Sequence, residues 1–420
     1  MYPTLFVIDF RWLLLAWAIV SLALVARSWR LFGWSKQTRD QIVVLGVLGA
    51  VIGWVLPRMV GSEGLPIRGY GVMLFGAVAA GVGLSMWRAW RRGIDPDLVL
   101  SLGVWFLFFG IAGARLFYII EYWDKFQKGT PAETLFAMLN LTEGGLVVYG
   151  SLLAGGLALV IFVHKYRLPG LAFTDLIAPG VVLGVGLGRI GCFLNGCCYG
   201  GLTDVPWAVQ FPQNSPAYVD QLQRGQIFIH GLRFQASLDG PAVVDAVEPD
   251  SQAAAAGLKP GERIVAINGQ PALTVGAAQL DLLKIYGAGA PLRLTVADRP
   301  ADLQWKLNGP PERSRPVHPT QLYSLMDALL LCFLLLAYEP YNRVDGALTA
   351  IVLTIHPISR FLLEIIRVDE ASVFNTGMSI SQNISIAVFL GGMVLWAYLL
   401  MRRPGMAGWP REAMLAAPAR

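Results

Sequence analysis

The chain has 420 residues, 55% of them hydrophobic and 15% charged, with a formal net charge of +5 and a mean hydropathy of +0.54. Apolar runs in so hydrophobic a chain match lipid rather than a soluble core, which places it among polytopic membrane proteins. The basic residues cluster beside apolar runs, so topology rather than nucleic acid accounts for the charge, and four cysteines are too few for a disulfide framework.

Nine segments of spanning length are expected, centred near residues 19, 50, 78, 109, 154, 180, 330, 356 and 391. The first is a retained helix rather than a signal peptide, because Arg27 and Arg30 follow it directly and no small-x-small cleavage site appears. Basic groups at Arg27 to Arg39, Arg88 to Arg92, His164 to Arg167, Arg343 and Arg402 to Arg403 then share one side, which the positive-inside rule makes cytoplasmic. The N-terminus and the loops near 61–67, 121–143, 191–318 and 368–381 face outward. Two extra N-terminal helices (1–62) precede a membrane domain in two parts (63–230 and 309–405), with a cytoplasmic tail at 406–420.

Between the sixth and seventh spans the chain is too polar for lipid and long enough for a small domain. Residues 231–308 alternate strand, turn and helix signals and resemble a PDZ domain, most specifically in AGLKPGERIVAINGQ. By that resemblance Gly231, Leu232, Arg233 and Phe234 form the loop that takes a peptide C-terminus or an added strand, with Arg233 in place of the family's second glycine. A domain that braces the extracytoplasmic region is the other reading. An intramembrane metalloprotease is excluded: His164, His230, His318 and His356 form no H-E-x-x-H pair, and Leu238-Asp239-Gly240 lies inside the soluble insert.

Charged groups at membrane depth cost about 2.5 to 3.5 kcal/mol each, so their positions are informative. Arg115 sits near the outer end of the fourth span and Tyr149 in the outer third of the fifth. Arg189 closes the sixth in GRIGCFLNGCCYG (188–200), and HPTQLY (318–323) opens the seventh. Arg360, Glu364 and Arg367 close the eighth at i, i+4 and i+7, on one helix face, while IRGYG (67–71) with Tyr70 and SQN (381–383) open the third and ninth. One arginine can snorkel to the interface. A set of them, with Asn195, Gln321 and Tyr323 at the same depth, calls for an anion, and a phospholipid phosphate matches the guanidinium fork.

The blocks YGVML (70–74), GARLFY (113–118), EGGLVVYGSLLAG (143–155), DLIAPGVVLGVGLGRIGCFLNGCCYG (175–200), HPTQLY and RFLLEIIR (360–367) resemble, in order, those of the prolipoprotein diacylglyceryl transferase family. The resemblance implies an α-helical polytopic enzyme of the bacterial cytoplasmic membrane, here with a small α+β PDZ-like extracytoplasmic insert. Such enzymes move a diacylglyceryl group from phosphatidylglycerol onto the lipobox cysteine thiol of a preprolipoprotein signal peptide, releasing glycerol phosphate. The resemblance implies that Arg189 and Arg360 face the phosphate, that Glu364 orients Arg360, and that no cofactor takes part. It also points to substrate contacts at Tyr70, Arg115, Gly145, Asn195, Gly200, Gln321, Tyr323 and Arg367.

This chain departs from the family pattern at the chemistry. Tyr149 stands where many members carry histidine, and Cys192 and Cys197 replace asparagine and glutamate in a signature close to GRxGNFxNGExxG. The base for the incoming thiol is open between Tyr149 and His318. Cys192, Cys197 and Cys198 read as packing residues, as a redox or metal cluster, or as a reacting thiol. Their C-x4-C-C spacing offers three ligands without a nearby histidine, and no metal is expected. Two other functions stand beside the transferase: an anionic-lipid-binding scaffold that uses the insert, and a membrane thiol oxidoreductase.

Overall fold

The computed structural model describes residues 4–57, 64–127, 130–139, 145, 147–213, 215–235, 239–285, 291–306, 313–368, 372–373, 377–402, 405–406 and 408–415. Glu143, Gly144, Leu146, Leu238 and Arg403 of the motifs above lie outside the described residues. The chain divides into two compact units, one of Tyr2–Gly191, Leu325–Ser359 and Ile384–Arg420, the other of Cys192–Ser324 and Arg360–Asn383.

The first unit is a helical body. It contains α1 (Phe10–Phe32), α2 (Lys36–Ala50), α3 (Gly69–Arg91), α4 (Pro96–Glu121), α5 (Pro131–Leu139), α6 (Val148–Lys165) and most of α7 (Gly170–Asn195). It also holds the larger parts of α10 (Thr320–Tyr338), α11 (Ala347–Ile366) and α12 (Ile380–Arg402). Large apolar side chains stay exposed along these helices, Phe75 at 76%, Phe108 at 72% and Phe333 at 71%, as a surface that meets lipid requires.

Among the described residues eight helices are long and apolar enough to span a membrane. The segment expected near residue 50 differs: α2 opens on the polar run Lys36 to Gln41 and passes into a π-helical turn at Val51–Val55, so its apolar stretch is short. It still runs antiparallel to α1. Thr38 Oγ1 lies 3.1 Å from Ser28 Oγ, and Gly49 packs directly on the Trp17 ring. The strand β1 (Thr4–Ile8), just before α1, pairs antiparallel with β2 (Leu65–Arg68), just before α3, so both helices start from one place.

Inside this body Arg88 is 1% exposed, although its basic cluster was expected to be a solvated topology signal. The reason is local. Pro179 lies within α7 and cannot donate to the carbonyl four residues back; the Arg88 guanidinium donates to that Asp175 oxygen at 2.9 Å. Glu339 balances the charge, 3.0 Å from Arg88 and 2.6 Å from Arg92. The Asp175 carboxylate in turn accepts from the Gly346 and Thr349 amides at 2.8 Å each and so caps α11.

The second unit holds α8 (Pro216–Gln223), the insert, and the ends of α7, α10, α11 and α12. In the insert β3 (Leu232–Phe234) pairs with β4 (Val244–Val247). A four-stranded antiparallel sheet runs in the order β6 (Gln270–Pro271), β5 (Ile264–Ile267), β7 (Pro291–Val296), β8 (Leu303–Lys306). Val243 bridges to Arg263 between the two sheets, and α9 (Val275–Ile285) adds Val275, Ala278 and Leu282 to the shared core. That core also takes in Tyr218, Leu222, Ile227 and Ile229, so the insert packs as one body with the chain just before residue 231.

Candidate active site

The hub of the second unit is the pair Gly200 and Gly201. The Gly200 amide donates to the His318 carbonyl at 2.9 Å, the Gly201 amide to Ile366 at 2.8 Å, and the His318 amide back to Gly201 at 3.0 Å. This joins the segment after α7 to the start of α10 and the end of α11. A Cβ on Gly200 would stand 2.7 Å from the His318 Cβ and 2.9 Å from Thr320 Cγ2, so the junction closes only on glycine. We expect Gly200→Ala to destabilise the fold by about 1–3 kcal/mol, as overpacking does. Gly76→Ala, at a helical site with nothing within 4 Å, should cost nothing, and thermal unfolding of the two variants in detergent checks the difference.

On α11, Glu364 has a side chain 2% exposed and holds two arginines. It accepts from Arg360, from Arg367 at 3.2 Å and from the Ser379 hydroxyl at 3.2 Å. Arg360 also donates to Ser381 at 2.9 Å. Ser379 belongs to β10 (Met378–Ser379), paired with β9 (Ser372–Val373), and Ser381 opens α12. Among the described residues these two guanidiniums share one carboxylate.

Gln321 is 1% exposed; its amide nitrogen donates to the Cys197 carbonyl at 2.6 Å, and its buried Oε1 has no protein partner among the described residues. Thr320 donates to the Cys198 carbonyl at 2.7 Å. His318 Nδ1 lies 3.3 Å from the Tyr323 hydroxyl, which accepts from the Trp207 indole at 2.7 Å. Trp207 carried no motif and was missed in the sequence; its partner is reached across more than a hundred residues.

The cysteines meet through a turn. Gly196 ends α7 in a left-handed conformation, φ 77°, and both its amide and that of Cys197 donate back to the Cys192 carbonyl. The Sγ atoms of Cys192, Cys197 and Cys198 thereby come within 4.8 Å of one another. Hydrogen bonds from Cys192, then Cys198, hold the Cys197 thiol well below the ordinary thiol range, with Asn195 adding to the effect.

The remaining predicted residues lie in the helical body. Gly113 and Gly150 let α4 and α6 touch backbone to backbone, since a Cβ on either would fall within 2.6 Å of the other's carbonyl oxygen. That crossing carries half-buried Tyr149 on α6 and buried Arg115 on α4. Arg115 donates to the carbonyls of Ala137, Met138 and Gly145 at 2.8, 2.9 and 3.2 Å. Its guanidinium thus caps α5 and fixes Gly145, the residue expected beside it in the substrate contacts. Tyr70, at the start of α3, packs against Gly191.

Arg189, two residues before Gly191 on α7, is partly exposed and forms no hydrogen bond or ion pair with any described residue. It differs in this from Arg88, Arg115, Arg360 and Arg367, whose donors the protein itself engages.

The sequence model of the family described as prolipoprotein diacylglyceryl transferase matches residues 57–398. The phosphatidylglycerol–prolipoprotein diacylglyceryl transferase of Rhodopirellula baltica is 36% identical over 417 residues, covering 91% of this chain and 84% of that protein. This chain belongs to the prolipoprotein diacylglyceryl transferase family. The equally named protein of Mycobacteroides abscessus is 24% identical and covers 81% of this chain and 75% of its own length. That of Synechococcus elongatus is 36% identical over 156 residues, 37% of this chain and 52% of that protein.

In this transferase the loop expected to take a peptide carboxylate is engaged by its own chain. His230 and Gly231, φ 55° and 82°, make a tight left-handed turn across which Ile229 and Leu232 exchange both backbone hydrogen bonds. Arg233 pairs with Asp245, and Leu232 and Phe234 are buried in the core. Beside the turn lies a cavity of about 630 Å³ lined by His230, Glu248, Lys306, Arg313 and Arg315 among others. The transferase body also contains a pairing that no motif indicated: Ser359 donates to Asp327 at 2.8 Å, with His356 at 3.8 Å from the same carboxylate.

Proposed function

We propose that this transferase moves the diacylglyceryl group of phosphatidylglycerol onto the lipobox cysteine of a preprolipoprotein, with Arg189 as the phosphate ligand. The observation that carries the assignment is the arginine itself: a guanidinium on a membrane helix with no described protein partner keeps its donors for an anion. Arg360, oriented by Glu364 and Ser381, is the second cation that the resemblance assigns to the phosphate, and Arg367 shares its counter-ion. These groups stabilise negative charge as the phosphate leaves. Gln321, His318 and Tyr323, with Asn195 and Gly200, shape a substrate surface, and Arg115 acts through the loop it holds.

The chain is a multi-pass membrane protein. Its N-terminus and insert are extracytoplasmic and its C-terminus cytoplasmic. Two pairings support this reading: β1 with β2 joins residues before α1 and before α3, as an even number of crossings between them requires, and Gly200 bridges to Arg367, joining two segments read as outward loops. The insert is a PDZ-like module whose cationic cavity, rather than the closed loop at Leu232, receives an acidic peptide end.

The test is transfer in vitro. Purified chain in vesicles containing phosphatidylglycerol should add one diacylglyceryl group to a lipobox peptide thiol and release glycerol phosphate. Vesicles of phosphatidylethanolamine alone should support neither. A folded protein that binds phosphatidylglycerol and leaves the peptide mass unchanged would exclude the enzyme and favour the lipid-binding scaffold.

A further inference from the structure

The thiol acceptor must lose its proton before it can attack, and the resemblance leaves the group that takes it open, since Tyr149 stands where many members carry histidine. The two departures inside the signature, Cys192 and Cys197, stand with Cys198 in one cluster, all three Sγ atoms within 4.8 Å. Zinc held by thiolates at about 2.3 Å sets neighbouring sulfurs about 3.8 Å apart in a tetrahedron, so the cluster needs less than about 1 Å of closure to hold it. We propose that these three cysteines bind a zinc ion whose open fourth position takes the lipobox thiol as its thiolate, a proposal that rests on the transferase reading.

Two further observations point to a ligand at this place. The cluster lies at the C-terminal end of α7, where the helix dipole places negative potential; that field opposes three bare thiolates and favours a cation among them. Beside it, Gln321 Oε1 is buried with no protein partner among the described residues, although the other half of the same amide donates to Cys197. An unmet buried acceptor is costly unless something donates to it, and a backbone N–H of the bound lipobox peptide supplies such a donor. Three protein ligands with one open position is the arrangement of catalytic rather than structural zinc.

The chemistry balances without an oxidant. The peptide thiol binds zinc and its proton passes to water; a coordinated thiol is deprotonated outright. The sulfur lone pair then forms the C–S bond at the glyceryl carbon, the C–O bond to phosphate breaks, and that electron pair leaves with glycerol phosphate. Coordination would thus lower the proton affinity of the acceptor thiol, so that water suffices as the proton acceptor.

Full-length protein purified in detergent should carry one zinc ion per chain by elemental analysis. After exchange, cobalt(II) should show the visible absorption of tetrahedral thiolate coordination, shifted by a lipobox peptide and not by its cysteine-to-serine version. A free thiol is only a few per cent ionised at pH 7, so zinc removal should slow transfer by about ten- to thirty-fold, with readdition restoring it. Cys192→Ser and Cys198→Ser should each lose the metal, and Cys332→Ala, in a separate core cluster, should keep it. Transfer at full rate by metal-free protein, or a site that takes copper(I) and rejects zinc, overturns the proposal. Zinc binding with the peptide-dependent cobalt shift but no transfer would uphold the site and overturn the transferase reading instead.

Discussion

Arg189→Ala should lower diacylglyceryl transfer by about a hundred- to a thousand-fold while leaving the protein as stable as the parent. The rate expectation is that for removing one charged donor from a developing anion. The stability expectation follows from the structure: Arg189 makes no hydrogen bond or ion pair with a described residue, so its removal breaks none with them. Arg189→Lys should fall between, because a lysine keeps the charge but loses the two-point fork. Transfer rates and thermal unfolding on the same preparations check both halves. A large fall in melting temperature for Arg189→Ala would mean that the side chain is structural, and an unchanged rate would remove it from the site.

Glu364→Ala should behave in the opposite way, with a loss of about 3–5 kcal/mol in stability as well as activity. The carboxylate is 2% exposed and sits between Arg360 and Arg367, themselves 16% and 7% exposed. Without it two guanidiniums lose the carboxylate they share, and breaking a buried pair by removing one partner is strongly destabilising. The Ser379 hydroxyl loses its acceptor at the same time, which removes one tie between the β9–β10 hairpin and α11. Glu364→Gln keeps the shape and one acceptor oxygen but not the charge, so it should recover part of the stability and little of the rate. Unfolding measurements at matched detergent, with transfer assayed well below the transition, separate the two effects. A Glu364→Ala variant with an unchanged transition would show that the arginines find other partners.

The contrast between these two residues shows what could be read from the sequence alone. The spacing Arg360, Glu364, Arg367 is a property of one helix, and a helix places i, i+4 and i+7 on one face whatever surrounds it, so the Glu364 pairing was legible. Arg115 and Arg189 looked alike in the sequence, each a cation near the end of an apolar segment. They differ because the carbonyls of Ala137 and Met138 meet Arg115, and a contact between α4 and a short helix in the following loop has no periodic signature. Arg88 is a similar case: its partner is the carbonyl that Pro179 leaves without a donor, on another helix.

The second crossing was harder to read, for another reason. Hydropathy rates each segment alone, whereas α2 and the π-helical turn after it lie antiparallel to α1, a relation carried by Trp17 on Gly49 and by the β1–β2 pair. In the insert, Gly231 to Phe234 read in the sequence as a ligand loop; in the structure Ile229 and Leu232 exchange backbone hydrogen bonds across the turn at His230 and Gly231, a pairing that composition does not announce.

By itself the sequence determined the membrane class, the family and the residue types at the site, because lipid dictates composition and the helix dictates spacing, and both act locally along the chain. Tertiary structure decided which donors and acceptors are already met. It brings Cys197 and Cys198 back onto Cys192 through one left-handed glycine, sets Trp207 on Tyr323, engages Arg115, and leaves Arg189 without a described partner. A hydrogen bond joins groups that are close in space at any separation in sequence, so this division is settled only when the helices pack.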